Sequence, residues 1–263
     1  MDLKLSNKRA LVTGSTAGIG LEIARKLAVE GAVVVIAGRN QKKLDEAIAE
    51  IRKSGGMSVT GILADAGTAE GADKLVAEAG QVDILVNNLG IYEAKAFSDI
   101  TDADWLKLFE VNVMSGVRLS RALMPAMLAR NWGRIVFISS ESGLSTPEEM
   151  VHYGTTKTAQ LAVARGLANL AKGTGVTVNS VLPGPTRAEA IVEFLRSALN
   201  MPTASEAELE AEFFKRGRPM SLIQRMLDPE EIANLVAYVA SPLSSGTTGA
   251  ALRVEGGILN GLA

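Results

Sequence analysis

Residues 9–30 read RALVTGSTAGIGLEIARKLAVE, and the order of residue types within them decides the fold. Arg9–Thr13 is a short apolar and β-branched run, the pattern of a strand covered on both faces. Ile19–Glu30 then carries Ile, Leu and Ala among charged residues, with the texture of a helix. Gly14, Gly18 and Gly20 occupy the turn between them, where the chain must bend sharply. Such a turn places the unpaired N–H groups and the positive dipole end of a helix beside a backbone with few side chains. That is a site for an anion, above all a phosphate. The spacing is G-x-x-x-G-x-G, whereas the commonest dinucleotide fingerprint is G-x-G-x-x-G. Three glycines also suit plain strand–helix packing, so the turn gains weight from its context. Its candidate ligand-binding residues are Gly14, Ser15, Thr16, Gly18, Ile19 and Gly20.

The alternation continues outward from this turn. Ala32–Ala37, Ser58–Leu63, Val82–Asn87, Arg134–Ser139 and Val176–Val181 read as further strands. Gln41–Lys53, Ala69–Ala79, Asp102–Arg130 and Tyr153–Ala171 read as helices between them. Strands that alternate with helices predict βαβ units and parallel pairing. The expected fold is α/β, one domain over residues 1–263, a doubly wound Rossmann-like parallel sheet with helices on both faces. Within it, residues 188–227 form a charged, helix-prone insertion after the sixth strand, expected as a lid over the carboxyl edge of the sheet. Its apolar residues Met201, Phe213, Phe214, Met220, Leu222 and Ile223 are candidates for lining a pocket.

Composition narrows the function. The chain has 263 residues, 47% hydrophobic and 21% charged, with a formal net charge of −2, which predicts neither nucleic acid nor an acidic membrane surface as a partner. There is no cysteine and a single histidine, His152, so no thiolate or histidine-rich metal site is expected. No apolar stretch approaches the roughly 20 residues of a membrane span. The N-terminal residues lack a signal-like apolar core, and a cytoplasmic location is expected.

Tyr153 and Lys157 are four apart and share a helix face. An ammonium near a phenol stabilises the phenolate, which suits a proton donor whose ordinary pKa is about 10. Spacing alone leaves an incidental pair equally open.

Further motifs occur in a fixed order. Asp65 follows the third strand, Asn87-Asn88-Leu89-Gly90 the fourth, and Asn112 lies in the next helix. Ser140 follows the fifth strand, then Tyr153-x-x-x-Lys157, then Asn179 and Pro183-Gly184, and finally Glu255-Gly256-Gly257. Together with the T-G-x-x-x-G-I-G turn, these resemble the short-chain dehydrogenase/reductase family over nearly the whole chain, and much of the chain resembles 3-oxoacyl-(acyl-carrier-protein) reductases. The resemblance implies hydride transfer between a nicotinamide and a carbonyl or secondary alcohol. It assigns acid–base chemistry to Tyr153, support of the tyrosine and the nicotinamide ribose to Lys157, and polarisation of the carbonyl to Ser140, which lies thirteen residues before the tyrosine. Asn112 holds a proton-relay water on this reading. Asp65, Asn88, Gly90, Pro183, Gly184 and Thr186 join the glycine turn as cofactor contacts. Leu89 stands where the family commonly has alanine, and Ala188 where it often has threonine; Thr186 is the expected substitute.

Cofactor choice is read from Gly38 and Arg39, after the second strand. Enzymes of this fold that prefer NAD place a carboxylate there; glycine removes it and Arg39 adds a fork of donors for a 2′-phosphate. NADP(H) is therefore expected, with NAD(H) the alternative. The substrate reading stays open among a ketone or aldehyde, a 3-oxoacyl thioester on an acyl-carrier protein, and a catabolic alcohol, polyol or sugar. A carrier protein would need basic residues near the entrance, for which Arg130, Arg134 and Lys172 are candidates. A non-catalytic nucleotide sensor is the reading of another class, and the complete set of four catalytic residues weighs against it. His152 is either a substrate contact or a mere neighbour of Tyr153. The family resemblance further implies a homotetramer built on the two long helices.

Overall fold

The apolar runs become strands of one sheet: β1 (Arg9–Val12), β2 (Val33–Gly38), β3 (Val59–Leu63), β4 (Ile84–Asn87), β5 (Gly133–Ile138) and β6 (Val176–Pro183). They are seen in a computed structural model that describes residues 2–188 and 191–261, the side chains of residues 194 and 198 excepted. A seventh strand, β7 (Ala251–Val254), completes the order β3-β2-β1-β4-β5-β6-β7, with every pairing parallel. The winding starts at β1, proceeds outward to β3, then returns past β1 to β4 and on to β7. β1 and β4 are therefore neighbours whose following connections leave in opposite directions. That opens a crevice at their carboxyl ends.

Strand alternation explains the two apolar layers. Ala10 and Val12 of β1 point into a core that includes Ile23, Leu27 and Val236, while Leu11 points into another with Leu75, Leu119 and Phe137. α1 (Gly18–Val29) and α9 (Pro229–Val239) cover the first layer; α3 (Ala69–Glu78), α5 (Ser115–Ala129) and α6 (Val151–Leu170) cover the second. α2 (Gln41–Lys53) starts at Asn40, whose side chain accepts from the Lys43 N–H at 3.1 Å.

Three features depart from the sequence reading. The expected helix Asp102–Arg130 is not continuous: α4 (Asp102–Phe109) passes into a π-helical turn, Glu110–Met114, before α5 begins. One extra residue in a turn leaves composition and apolar spacing almost unchanged, so periodicity does not reveal it. β7 escaped because it is a four-residue edge strand containing a charge. α9 escaped although Asp228-Pro229-Glu230-Glu231 is a helix-start pattern, with the Glu231 carboxylate accepting from the Asp228 N–H at 2.9 Å.

The segment 188–227, of which residues 189–190 lie outside the described residues, contains α7 (Ile191–Ala198) and α8 (Glu206–Arg216). Its two ends meet. The Arg187 N–H donates to the Leu227 carbonyl and the Leu227 N–H to the Pro185 carbonyl, each at 2.9 Å, forming an isolated parallel bridge at Thr186 and Leu227. The excursion thus leaves and re-enters the fold at one point. It has a core of its own, in which Leu195, Leu209, Phe214 and Met226 are buried.

Candidate active site

The β1–α1 turn is shaped by glycines at positions where a side chain has no room. Gly14 and Gly18 have φ of +59° and +55°, in the left-handed region. A Cβ on Gly20 would lie 2.3 Å from the Gly14 carbonyl oxygen. Ala17, at the N-cap of α1, offers no side-chain hydrogen bond, and no acidic residue occupies the helix's first turn. The helix N–H groups there are left for an anion, and the positive end of the helix favours one. The turn is buttressed from β4: the Asn88 side-chain amide donates to the carbonyls of Thr13 at 2.9 Å and Gly14 at 3.0 Å. This cradle, with its missing side chains and unopposed N–H groups, suits the pyrophosphate of a dinucleotide.

A cavity of about 490 Å³ opens from the turn along the carboxyl edge of the sheet. Gly14, Gly18, Ile19, Gly20, Asn88 and Gly90 line its cofactor end, and Pro183, Gly184 and Thr186 another wall. Ser140, Tyr153 and Lys157 line the same space. Ser140 ends the extension of β5, while Tyr153 and Lys157 sit in the first turns of α6.

Electrostatics at this wall run against the ordinary state of each group. Burial raises the Tyr153 hydroxyl well above its usual pKa, and the charge of Glu141 adds to the rise; a hydrogen bond with Ser140 opposes it. Burial lowers Lys157 to about 8, partly offset by Glu141. The Lys157 ammonium donates to the Ile138 carbonyl at 3.0 Å and lies 5.6 Å from the centroid of the Tyr153 ring.

Asn112 does not line the cavity wall but stands behind it. Its side chain accepts from the Ile91 N–H at 2.8 Å and donates to the Ile91 carbonyl at 2.9 Å and the Thr156 hydroxyl at 3.0 Å. Its backbone carbonyl, in the π-helical turn, accepts from the Gln160 amide at 2.6 Å. Asn112 thereby ties the loop after β4, the π turn and α6 together.

Other expected site residues fall elsewhere. The Ser15 hydroxyl faces into the sheet, donating to the Val12 carbonyl at 2.7 Å and accepting from the Ala37 N–H at 3.0 Å, so only its backbone faces the turn. Arg39 is exposed and lies 3.8 Å from Asp65, whose other oxygen accepts from the Gly67 N–H at 2.9 Å. Thr16 presses on position 38: a Cβ there would meet the Thr16 methyl at 2.6 Å. An aspartate at 38 therefore displaces Thr16 as well as adding a charge.

His152 turns away from the cavity. It is wholly buried, its ring lies edge-on to Trp105 at 6.0 Å, and Glu93 is 3.6 Å from its Nε2. Of the six apolar residues expected to line a pocket, only Phe213 does so. Met201 and Phe214 pack inside the excursion's own core, and Met220, Leu222 and Ile223 are exposed. The basic residues proposed for a carrier protein are also misplaced for that purpose. Arg134 starts β5, at the edge of the sheet opposite the cavity, and its guanidinium is buried against the carbonyls of Ser241, Gly133 and Gly175. Arg130 is engaged with Val82 and Asp83 at that same edge, and Lys172 lies in the connection that enters β6 there.

Sequence reasoning missed Glu141 and the role of Arg218 in the cavity wall. The Ser140 hydroxyl donates to Glu141 Oε2 at 2.6 Å, and Arg218 Nε donates to Glu141 Oε1 at 3.3 Å. The available signal was a carboxylate set immediately after the expected serine in an otherwise uncharged stretch, Ile135–Ser140.

Fold and cavity define a dinucleotide-binding oxidoreductase, and comparison with known proteins gives the family. The short chain dehydrogenase family profile matches residues 8–198, and the chain belongs to that family. It is 48% identical to an uncharacterized oxidoreductase, YvaG, of Bacillus subtilis (strain 168), over 98% of each chain. It is 33% identical to the 3-oxoacyl-[acyl-carrier-protein] reductase of Aquifex aeolicus (strain VF5), over 98% of this chain and 100% of the relative. Among solved structures, L-sorbose reductase of Gluconobacter frateurii, complexed with NADPH and L-sorbose, superposes with a TM-score of 0.91 at 30% identity, covering 100% of both chains. The protein is a dehydrogenase/reductase, and no described helix is long and apolar enough to cross a membrane.

Proposed function

We propose that this protein is an NADPH-dependent carbonyl reductase in which Tyr153 gives the proton, Ser140 holds the carbonyl oxygen, Lys157 supports the tyrosine and Asn112 orders the relay behind them. The observation that carries the reading is the meeting of Ser140, Tyr153 and Lys157 on one cavity that runs on into the glycine turn. A bound nicotinamide dinucleotide supplies the hydride, with Gly14, Ser15, Thr16, Gly18, Ile19 and Gly20 around its pyrophosphate. Asn88, Gly90, Pro183, Gly184 and Thr186 stand toward its nicotinamide end. The raised pKa of Tyr153 keeps its proton in place across neutral pH, the state that reduction needs. The Ser140 hydroxyl fixes the acceptor oxygen near that proton. Arg39 beside Asp65, with no carboxylate at position 38, supports a 2′-phosphate contact.

A 3-oxoacyl substrate draws support from the Aquifex relative, and a sugar or polyol from the Gluconobacter structure. Arg130, Arg134 and Lys172 lie away from the cavity, which weighs against a carrier-protein entrance built on them. Residues 188–227 act as the substrate lid on this reading, and four copies assemble through the faces of α4 to α6, where Leu106, Phe109 and Leu170 are exposed. Sedimentation at micromolar concentration then gives a tetramer, and a monomer would contradict it. The test of the activity is NADPH oxidation followed across a panel of simple ketones, hydroxyketones and 3-oxoacyl thioesters. Tight NADPH binding with no turnover of any carbonyl would overturn the reductase reading.

A further inference from the structure

The cavity contains a buried ion pair for which the hydride-transfer scheme has no use. Glu141 follows Ser140 in a short 3-10 turn, Glu141–Gly143, and its side chain is 6% exposed. Arg218 reaches it from the returning limb of the 188–227 excursion, with its side chain 15% exposed. Phe213 lies under the guanidinium, 5.5 Å from ring centroid to Cζ. Arg218 Nη1 donates to the Gly217 carbonyl at 2.8 Å, and Nη2 makes no hydrogen bond among the described residues. Both side chains face the cavity that holds Tyr153.

Such a pair has a consequence for any substrate that uses Ser140. The Ser140 proton is directed at Glu141 Oε2, 2.6 Å away. A substrate carbonyl held by Ser140 must take that proton for its own hydrogen bond, about 2.8 Å long. Glu141 then loses a donor while remaining buried, a state that folded proteins avoid. A donor on the substrate itself restores that bond without breaking up the ion pair. A carbonyl oxygen so close to Ser140 brings the substituents of the adjacent carbon within reach of the same carboxylate. A hydroxyl there fits both partners, since it donates to Glu141 and accepts from the free N–H of Arg218. An apolar acyl chain restores neither bond. A substrate carboxylate is repelled by Glu141 as much as Arg218 attracts it.

We propose that Glu141 and Arg218 together read a hydroxyl group beside the reacting carbonyl, so that the substrate is a hydroxylated carbonyl compound, of the hydroxyketone or sugar class, and not an unsubstituted acyl chain. The proposal rests on the reductase reading above and deepens it. Because Arg218 belongs to the excursion and Glu141 to the sheet, the same hydroxyl also bridges the two walls of the cavity when substrate is bound.

A matched pair of ketones tests it. 1-Hydroxy-2-butanone and 2-butanone differ by the single hydroxyl in question. With NADPH, kcat/KM of the unmodified protein is expected to favour the hydroxyketone by about ten- to a hundredfold, the range of one charge-assisted hydrogen bond. In Glu141→Leu and in Arg218→Met that ratio is expected to fall at least tenfold toward unity, with NADPH binding, read by cofactor fluorescence, reporting that each variant is folded. If a variant does not fold, the ratio for the unmodified protein and the other variant still decides. Reduction of both ketones without preference, or a preference that survives both substitutions, overturns the hydroxyl reading and leaves the reductase intact. NADPH binding with no reduction of either ketone or of any other carbonyl sinks both.

Discussion

The catalytic wall of the cavity and the wall formed by residues 188–227 differ in how they are anchored. Ser140, Tyr153 and Lys157 hang from β5 and α6, elements whose inner faces are buried in layers that run the breadth of the sheet. The 188–227 wall has its own small core around Leu209 and Phe214 and is tied to the rest of the fold by a few contacts on its returning limb: the backbone bridge of Arg187 and Leu227, the Leu222 and Ile223 N–H groups on the Gly256 carbonyl, and Arg218 on Glu141. Its ion pairs, such as Arg187–Glu210 and Arg225–Glu231, are partly exposed, a class that contributes about 0–1 kcal/mol each. The first wall can hold reacting groups in fixed positions at a cost in stability. The second, if it serves as the proposed lid, moves by exchanging those few contacts and not by disturbing the sheet. On the proposed reading, chemistry belongs to the sheet side, and substrate choice is shared between it and the side with a core of its own.

The most severe test of that division is Tyr153→Phe. Removing a general acid costs about 10²–10⁴ in rate, so kcat should fall by that factor while NADPH affinity, set by the glycine turn, changes less than about threefold. Unchanged turnover would remove Tyr153 from the mechanism.

A paired truncation compares the two cores directly. Leu11→Ala, in the sheet, is expected to cost about 2–5 kcal/mol, and at about 2–4 °C per kcal/mol it lowers the thermal midpoint by roughly 4–20 °C. Leu209→Ala, in the excursion, should leave the main transition nearly in place and raise the carbonyl KM instead. Equal midpoints for the two variants would mean that the excursion unfolds with the sheet.

Lys157 offers a test of the stability spent on the catalytic wall. Its pKa in the folded protein, lowered by burial to about 8, lies below the ordinary lysine value of 10.5. At pH 7 the folded state must therefore keep a buried charge that the unfolded chain hydrates freely. The penalty is present below pH 8 and disappears as the pH rises through the unfolded value, where both states are neutral. Lys157→Met is expected to raise unfolding stability at pH 7, by on the order of 3 kcal/mol for such a shift, and to abolish turnover. The gain should shrink toward zero above pH 10, as measured by denaturant titration at several pH values. A variant less stable than the parent at pH 7 would show that the ammonium is more than compensated by its partners.

The smallest expected effect is at the far end of the cofactor site. Arg39→Ala should weaken NADPH by about tenfold and change NADH less than twofold. Gly38→Asp is less clean than its sequence suggests, because the new side chain meets Thr16. Thr16→Gly in the same chain should restore NADH binding if crowding is the cause.

Much of this molecule is legible one-dimensionally because its signals are local. The apolar runs of β1 to β6, the glycines at 14, 18 and 20, and the four-residue spacing of Tyr153 and Lys157 each act within a few residues. Backbone sterics and burial read them without knowing the rest of the chain. The order of motifs along the chain then assigns the family. Contacts made at long range were decided only by the tertiary structure. No local pattern announces the π turn that presents the Asn112 carbonyl to Gln160, the inward face of Ser15, or the burial of Arg134 away from the cavity. Glu141 and Arg218 are 77 residues apart in sequence. Their pairing exists because the excursion returns over the carboxyl edge of the sheet, where low exposure makes an ion pair depend on which groups share it.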